Sequence, residues 1–277
     1  MTASPHAAPR TGTASFFLLA FALTWALQIP GVLARRGLLP GDPDAYVPLA
    51  MLGIFGPLVA AAILAGREDG RAGLRALFGP LLRARVKVRF YLLALFLPGL
   101  LLSGGLALMK LAGYEGEVAY LPQAAQLPVI LIISVAEEVG WRGWALPRLT
   151  ARYGAFAASV ILGALWTVWH IPMFMGVGVP LETLPVMLLL FVGGSLFFTW
   201  LVRRSGGSLL IAVAAHAGAH LNNSHASIPD GDMLPMLVGA VVYAGLGLAV
   251  AYLDRADFGI ARRPARYSAS SEVVPRS

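Results

Sequence analysis

Cysteine is absent from the 277 residues, which excludes disulfides, thiolate metal ligands and a cysteine nucleophile. Charge is scarce as well. Asp, Glu, Lys and Arg make up 13% of the chain, against about 25% in an average soluble domain. Apolar residues fill the gap at 58%, more than a soluble protein of this length can hide from water, and the class that follows is an all-α integral membrane protein. The basic excess, 21 Lys and Arg against 14 Asp and Glu, does not indicate nucleic acid as a partner. These charges lie in short segments between apolar runs, which is the pattern of membrane topology.

A membrane-crossing helix needs about 20 predominantly apolar residues. Eight runs qualify, at 15–34, 46–66, 91–112, 127–147, 156–176, 184–202, 207–225 and 233–253. Before the first run stands Arg10 alone, and no small-x-small cleavage site follows it, so a retained anchor is expected rather than a removed signal. No internal repeat suggests a transporter built from duplicated halves. The expected organisation is a cytoplasmic segment 1–14, an eight-helix domain 15–253 and a polar tail 254–277 without fixed structure.

The loops alternate in sign. Arg67, Arg71, Arg75, Arg83, Arg85, Lys87 and Arg89 crowd the second, Arg148 and Arg152 the fourth, Arg203 and Arg204 the sixth, and Arg255, Arg262, Arg263 and Arg266 the tail. The odd loops carry Asp42 and Asp44, Glu115 and Glu117, Glu182, and Asp230 and Asp232, with Arg35 and Arg36 as the exception. By the positive-inside rule both termini are cytoplasmic, in a multi-pass protein of the cell (inner or plasma) membrane. Within the basic loop 67–89, Leu74, Leu77, Phe78, Leu81 and Leu82 alternate with the cations, the spacing of an amphipathic segment on anionic lipids.

Three of the runs are interrupted by polar groups, and placing these in hydrocarbon costs several kcal/mol by the usual scales. In "SVAEEVGWRGWALPRL", Glu138 and Arg142 are four apart and stack on one helix face, able to neutralise each other. Glu137 lies about 100° around the helix and is left as the carboxylate that exchanges a proton. "LWTVWHIPMF" holds His170 with Trp166 one turn earlier, and "AVAAHAGAHLNNS" sets His216, His220 and Asn223 along one stripe. Counted from the cytoplasmic ends, Glu137, His170 and His216 each lie roughly 14–22 Å deep. Polar groups at one depth face the bundle interior or a water-filled cavity, so three helices can gather them into one site. Trp141, Trp144 and Trp169 read as packing or interface residues, and Pro147 and Pro172 as helix ends or kinks.

These segments resemble the CAAX-protease and bacteriocin-processing family of intramembrane endopeptidases, also called the abortive-infection family. "EEVGWRGWALPRL" is similar to its EExxxR motif, "WTVWH" to its aromatic-xxx-His motif and "SLLIAVAAHAGAH" to its His-xxx-Asn motif. The resemblance implies an eight-helix core acting on a peptide or protein substrate within the membrane. It implies that Glu137 activates water, Arg142 orients Glu137 and Glu138, His170 assists as proton donor or water binder, and the third-motif pair stabilises the oxyanion. One position departs from the pattern, since His220 stands where the family has asparagine. A neutral imidazole can still donate a hydrogen bond there.

That departure also leaves the cofactor open between none and zinc. His216 and His220 have the i, i+4 spacing of helical zinc ligands and His170 can complete three, although no HExxH is present. Two other functions compete with proteolysis. A non-enzymatic immunity or partner-binding protein could keep the scaffold, and a proton-coupled transporter could use the same buried charges.

Overall fold

The computed structural model of the protein describes residues 12–115, 124–221 and 233–260. Asn222, Asn223, Glu117, Asp230, Asp232, Arg262, Arg263, Arg266 and residues 261–277 of the expected tail fall outside them, as does the segment 1–11. Among the described residues ten α-helices follow in order: α1 Thr13–Arg35, α2 Val47–Gly53, α3 Gly56–Phe78, α4 Val88–Leu111, α5 Leu127–Glu138, α6 Leu146–Trp169, α7 Ile171–Gly176, α8 Leu184–Arg204, α9 Leu209–Leu221 and α10 Leu234–Leu253. No strand occurs among the described residues. Short 3-10 turns precede several helices, and Pro48, Pro57, Pro128, Pro147, Pro172, Pro185 and Pro235 stand in first turns, where the missing N–H breaks no helical bond.

Six stretches of described helix are long and apolar enough to cross a membrane, two fewer than the runs counted in the sequence. One of the six, Leu127–Gly176, has 50 residues. At 1.5 Å per residue it would extend about 75 Å, far beyond a hydrocarbon core of about 30 Å. It is broken at Gly154, with φ 78° and ψ 165°, a conformation open to glycine and strained for residues with a Cβ. This break divides the fourth expected run from the fifth. α9 is apolar but described over only 13 residues. The chain is a multi-pass integral membrane protein.

Lipid offers no hydrophobic drive for helix association, so close approach at small residues takes over. A Cβ on Gly163 of α6 would lie 2.6 Å from Val192 Cα of α8. One on Gly193 of α8 would lie 2.4 Å from the Tyr243 carbonyl of α10, and one on Gly247 of α10 would lie 2.4 Å from the Gly193 carbonyl oxygen. α9 meets α4 in the same way, with Gly218 against Ala94. These contacts set α8 between α6 and α10 and hold α9 against α4, with its polar residues facing inward.

Two expectations about the periphery are corrected. In the basic segment, Leu77 is buried and Leu74, Phe78 and Leu81 pack against the main core. Leu82 is exposed, but most of the apolar face is thus turned to protein, and the anionic-lipid reading has no support. Arg83 donates from Nη1 to the Gly206 carbonyl at 3.1 Å, tying the segment to the α8–α9 turn. At the other end, Asp254–Ile260 is folded rather than part of a structureless tail. Phe258 is buried against Ala155, Leu196 and Ala251, Asp254 accepts from the Trp200 indole and pairs with Arg204, and the Phe156 amide donates to the Phe258 carbonyl. The segment braces the Gly154 turn.

Candidate active site

Between α5 and α6 the helix widens into a π-helical stretch, Val139–Ala145. Such insertions are rare and recur at functional sites. The neighbouring packing suits it: at Gly140 a Cβ would stand 2.5 Å from Pro57 Cβ, so α3 passes directly against the bulge. Periodicity alone reads this segment as ordinary α-helix, and no sequence pattern marks the bulge.

The acidic pair and the arginine flank and enter that stretch, and all three are buried. Arg142 Nη1 donates to Glu138 Oε1 at 2.8 Å, as the i, i+4 spacing predicts. His216 Nδ1 lies 2.8 Å from the same oxygen. A carboxylate paired with arginine accepts, so His216 carries its hydrogen on Nδ1 and points Nε2 into the site. The guanidinium sits between two rings, 4.4 Å from the Trp166 centroid and 4.7 Å from that of Phe198, positions favourable to a cation. Arg142 Nε and Nη2 and Glu138 Oε2 are buried with no partner among the described residues. Buried polar atoms of this kind are usually satisfied by water or by a ligand.

Glu137 is held differently. Its Oε2 accepts from Trp166 Nε1 at 2.7 Å, and its Oε1 stands 4.0 Å from His216 Nε2. That distance is too long for a hydrogen bond and suits a bridging water. Trp166 also reaches the next histidine, because its main-chain carbonyl accepts from His170 Nδ1 at 2.8 Å. A carbonyl only accepts, so neutral His170 keeps the lone pair on Nε2. The His170 ring is fixed by Trp169 edge-on at 4.7 Å, by Phe174 stacked at 5.5 Å and by Phe191 at 4.6 Å.

His220 completes the group on α9. Its ring stacks on His216 with centroids 5.0 Å apart, and the two Nε2 atoms are 3.1 Å from each other. With neutral His216 protonated at Nδ1, the shared hydrogen belongs to His220.

All six residues singled out in the sequence therefore meet in one cluster, buried except for half-buried His220, built from α5, the π-helical stretch, the end of α6 and α9. Trp166 and Phe198 are the residues missed. Trp166 was visible one turn before His170, yet an indole gives no sign that its N–H will reach a carboxylate 29 residues away. Phe198 lies in a clean apolar run and carries no signal. Trp141, Trp144 and Trp169 are buried, and Trp141 and Trp169 meet edge-on beside the site.

Among the described residues no group of three or more His, Asp or Glu side chains is placed to hold a metal ion. His170 and His216 each bond through Nδ1 and leave Nε2 turned the other way, and Nε2 of His220 lies 3.1 Å from that of His216. The zinc set suggested by the histidine spacing is thus not assembled among the described residues.

Comparison with known proteins bears on the same segment. Residues 121–222 match the family described as type II CAAX prenyl endopeptidase Rce1-like, a stretch that contains all six site residues. The chain is also similar to CAAX prenyl protease 2 of Methanococcus maripaludis, at 24% identity over 235 residues, covering 75% of this chain and 82% of that protein. The motif residues, their convergence and these matches agree in supporting the Rce1-like group of the CAAX-protease and bacteriocin-processing family.

Proposed function

We propose that this protein is an intramembrane endopeptidase that hydrolyses a peptide bond in a membrane-embedded or lipid-anchored substrate. It would do so from an eight-helix domain over residues 15–253 with both termini cytoplasmic. The observation that carries this reading is the unequal treatment of the two carboxylates. Glu138 is fixed by Arg142 and His216 at one oxygen, whereas Glu137 turns Oε1 toward His216 Nε2 across a gap of 4.0 Å.

In this reaction a water in that gap gives a proton to Glu137 while its oxygen adds to the substrate carbonyl. Glu137 then passes the proton to the amide nitrogen as the C–N bond breaks, leaving a carboxylic acid and an amine. Trp166 holds Glu137 in place through Oε2. His170 Nε2, a lone pair in the neutral ring, accepts a hydrogen of the water and orients it. The oxyanion needs donors fixed where charge appears, and the N–H of His220 Nε2 takes that role by turning from His216. Arg142 fixes Glu138, and Glu138 in turn sets the His216 tautomer.

The test compares new peptide N-termini in membranes that contain wild-type or Glu137→Gln protein in equal folded amounts. N-termini that disappear with the substitution support the protease and identify its substrate. Indistinguishable membranes across growth conditions would overturn the reading.

A further inference from the structure

The helix α1 lies outside the matched residues 121–222, yet it grips the residue that precedes His170 at two points. Trp169 Nε1 donates to Thr24 Oγ1 at 2.9 Å, and Trp25 Nε1 donates to the Trp169 carbonyl at 3.1 Å. The Thr24 hydroxyl then donates onward to the Gly53 carbonyl at 2.7 Å, so its own hydrogen is committed and its oxygen is oriented to accept. Thr24 and Trp169 are both buried. The contact is also confined from behind, because a Cβ on Gly56 would fall 2.1 Å from Thr24 Oγ1.

This grip acts at the point where α6 ends. Pro172 lacks an N–H, the helical ladder is interrupted there, and α7 starts at Ile171. A helix end without its full ladder is free to adjust, so the direction of the His170 ring depends on what holds Trp169. The Trp169 ring also stands edge-on against His170 and against Trp141 of the π-helical stretch. Displacing it would therefore be felt on both sides of the acidic pair.

We propose that Thr24 and Trp25 are positioning residues for His170, so that the site is completed from the first helix. The inference rests on the protease reading for its meaning, but its main test does not use proteolysis. Full-length protein in detergent is treated with diethylpyrocarbonate, and modification of each histidine is followed by mass spectrometry. In Thr24→Val, which keeps the shape and removes the hydroxyl, modification of His170 should rise about tenfold, the scale of one lost buried hydrogen bond. His216 should react at the wild-type rate, and Thr24→Ser should restore His170 to wild-type behaviour. Trp25→Phe should move His170 in the same direction through the other contact.

Unchanged His170 reactivity in folded Thr24→Val and Trp25→Phe would overturn the proposal. So would an equal rise at every histidine, or loss of folded protein in both variants, since either would make the contact one of general stability. The same variants assayed for Glu137-dependent N-termini separate the two readings. If wild type yields none while His170 still responds to Thr24→Val, the protease reading fails and the positioning role stands.

Discussion

Glu138 Oε1 and His216 Nδ1 are 2.8 Å apart, and this one bond joins α5 to α9 at the centre of the bundle. The same oxygen receives Arg142 at 2.8 Å. Glu138 is thus the structural member of the acidic pair, and it should respond to substitution unlike its neighbour.

Glu137→Gln should abolish cleavage, by about 10²–10⁴ in rate for a lost general base, and leave thermal stability in detergent close to wild type. Glu138→Gln should lose both activity and stability, because it leaves a buried guanidinium uncompensated, at about 3–5 kcal/mol. Equal melting temperatures for the two variants would contradict the division of roles.

Trp166→Phe keeps an aromatic face for Arg142 but removes the N–H that holds Glu137 Oε2. A hydrogen bond to a charged group contributes about 1.5–3 kcal/mol, so turnover should fall about ten- to a hundredfold with little change in apparent substrate affinity. A variant with normal turnover would show that Glu137 does not depend on this indole.

His220→Phe should retain stacking on His216 while losing the Nε2 donor, with a fall of about 10²–10³ in turnover if that donor meets the oxyanion. His220→Gln, which keeps an N–H, should recover part of it. Full activity in the phenylalanine variant would assign the oxyanion to another group. The buried Arg142 Nη2, without a partner among the described residues, is the alternative donor.

Two glycines of α10 provide a matched pair for packing. A Cβ on Gly247 would strike the Gly193 backbone at 2.4 Å, whereas one on Gly245 would meet nothing within 4 Å. Gly247→Ala should lower stability by about 1–3 kcal/mol, as overpacking does, and Gly245→Ala should be tolerated. Melting in detergent checks both.

Much of this site was legible because intramembrane charge is expensive and therefore rare. Glu137, Glu138, Arg142, His170, His216 and His220 stood out against apolar sequence, and counting helical rise placed three of them at one depth before any contact was known. The fold class followed from the same contrast. What stayed hidden has physical causes too. The π-helical stretch depends on how closely Pro57 approaches Gly140, a tertiary fact with no periodic trace. Trp166 and Thr24 act through single hydrogen bonds from residues that most often serve as packing. The basic segment presented an amphipathic pattern, but periodicity states that a face will be covered, not whether protein or lipid covers it. Phe258 sits in a polar-looking end of the chain, where composition alone suggested no structure.

The Arg142–Glu138 pair is internal to one helical segment, whereas the His216 contact must wait for α9, which comes 71 residues after Glu138. During biogenesis the acidic segment can therefore enter the bilayer with one of its carboxylates already neutralised by its own chain. The histidine that orients around that pair is synthesised and inserted later. A nascent chain accordingly carries Glu138 paired with Arg142 but without His216, and the cluster is complete only when α9 is seated.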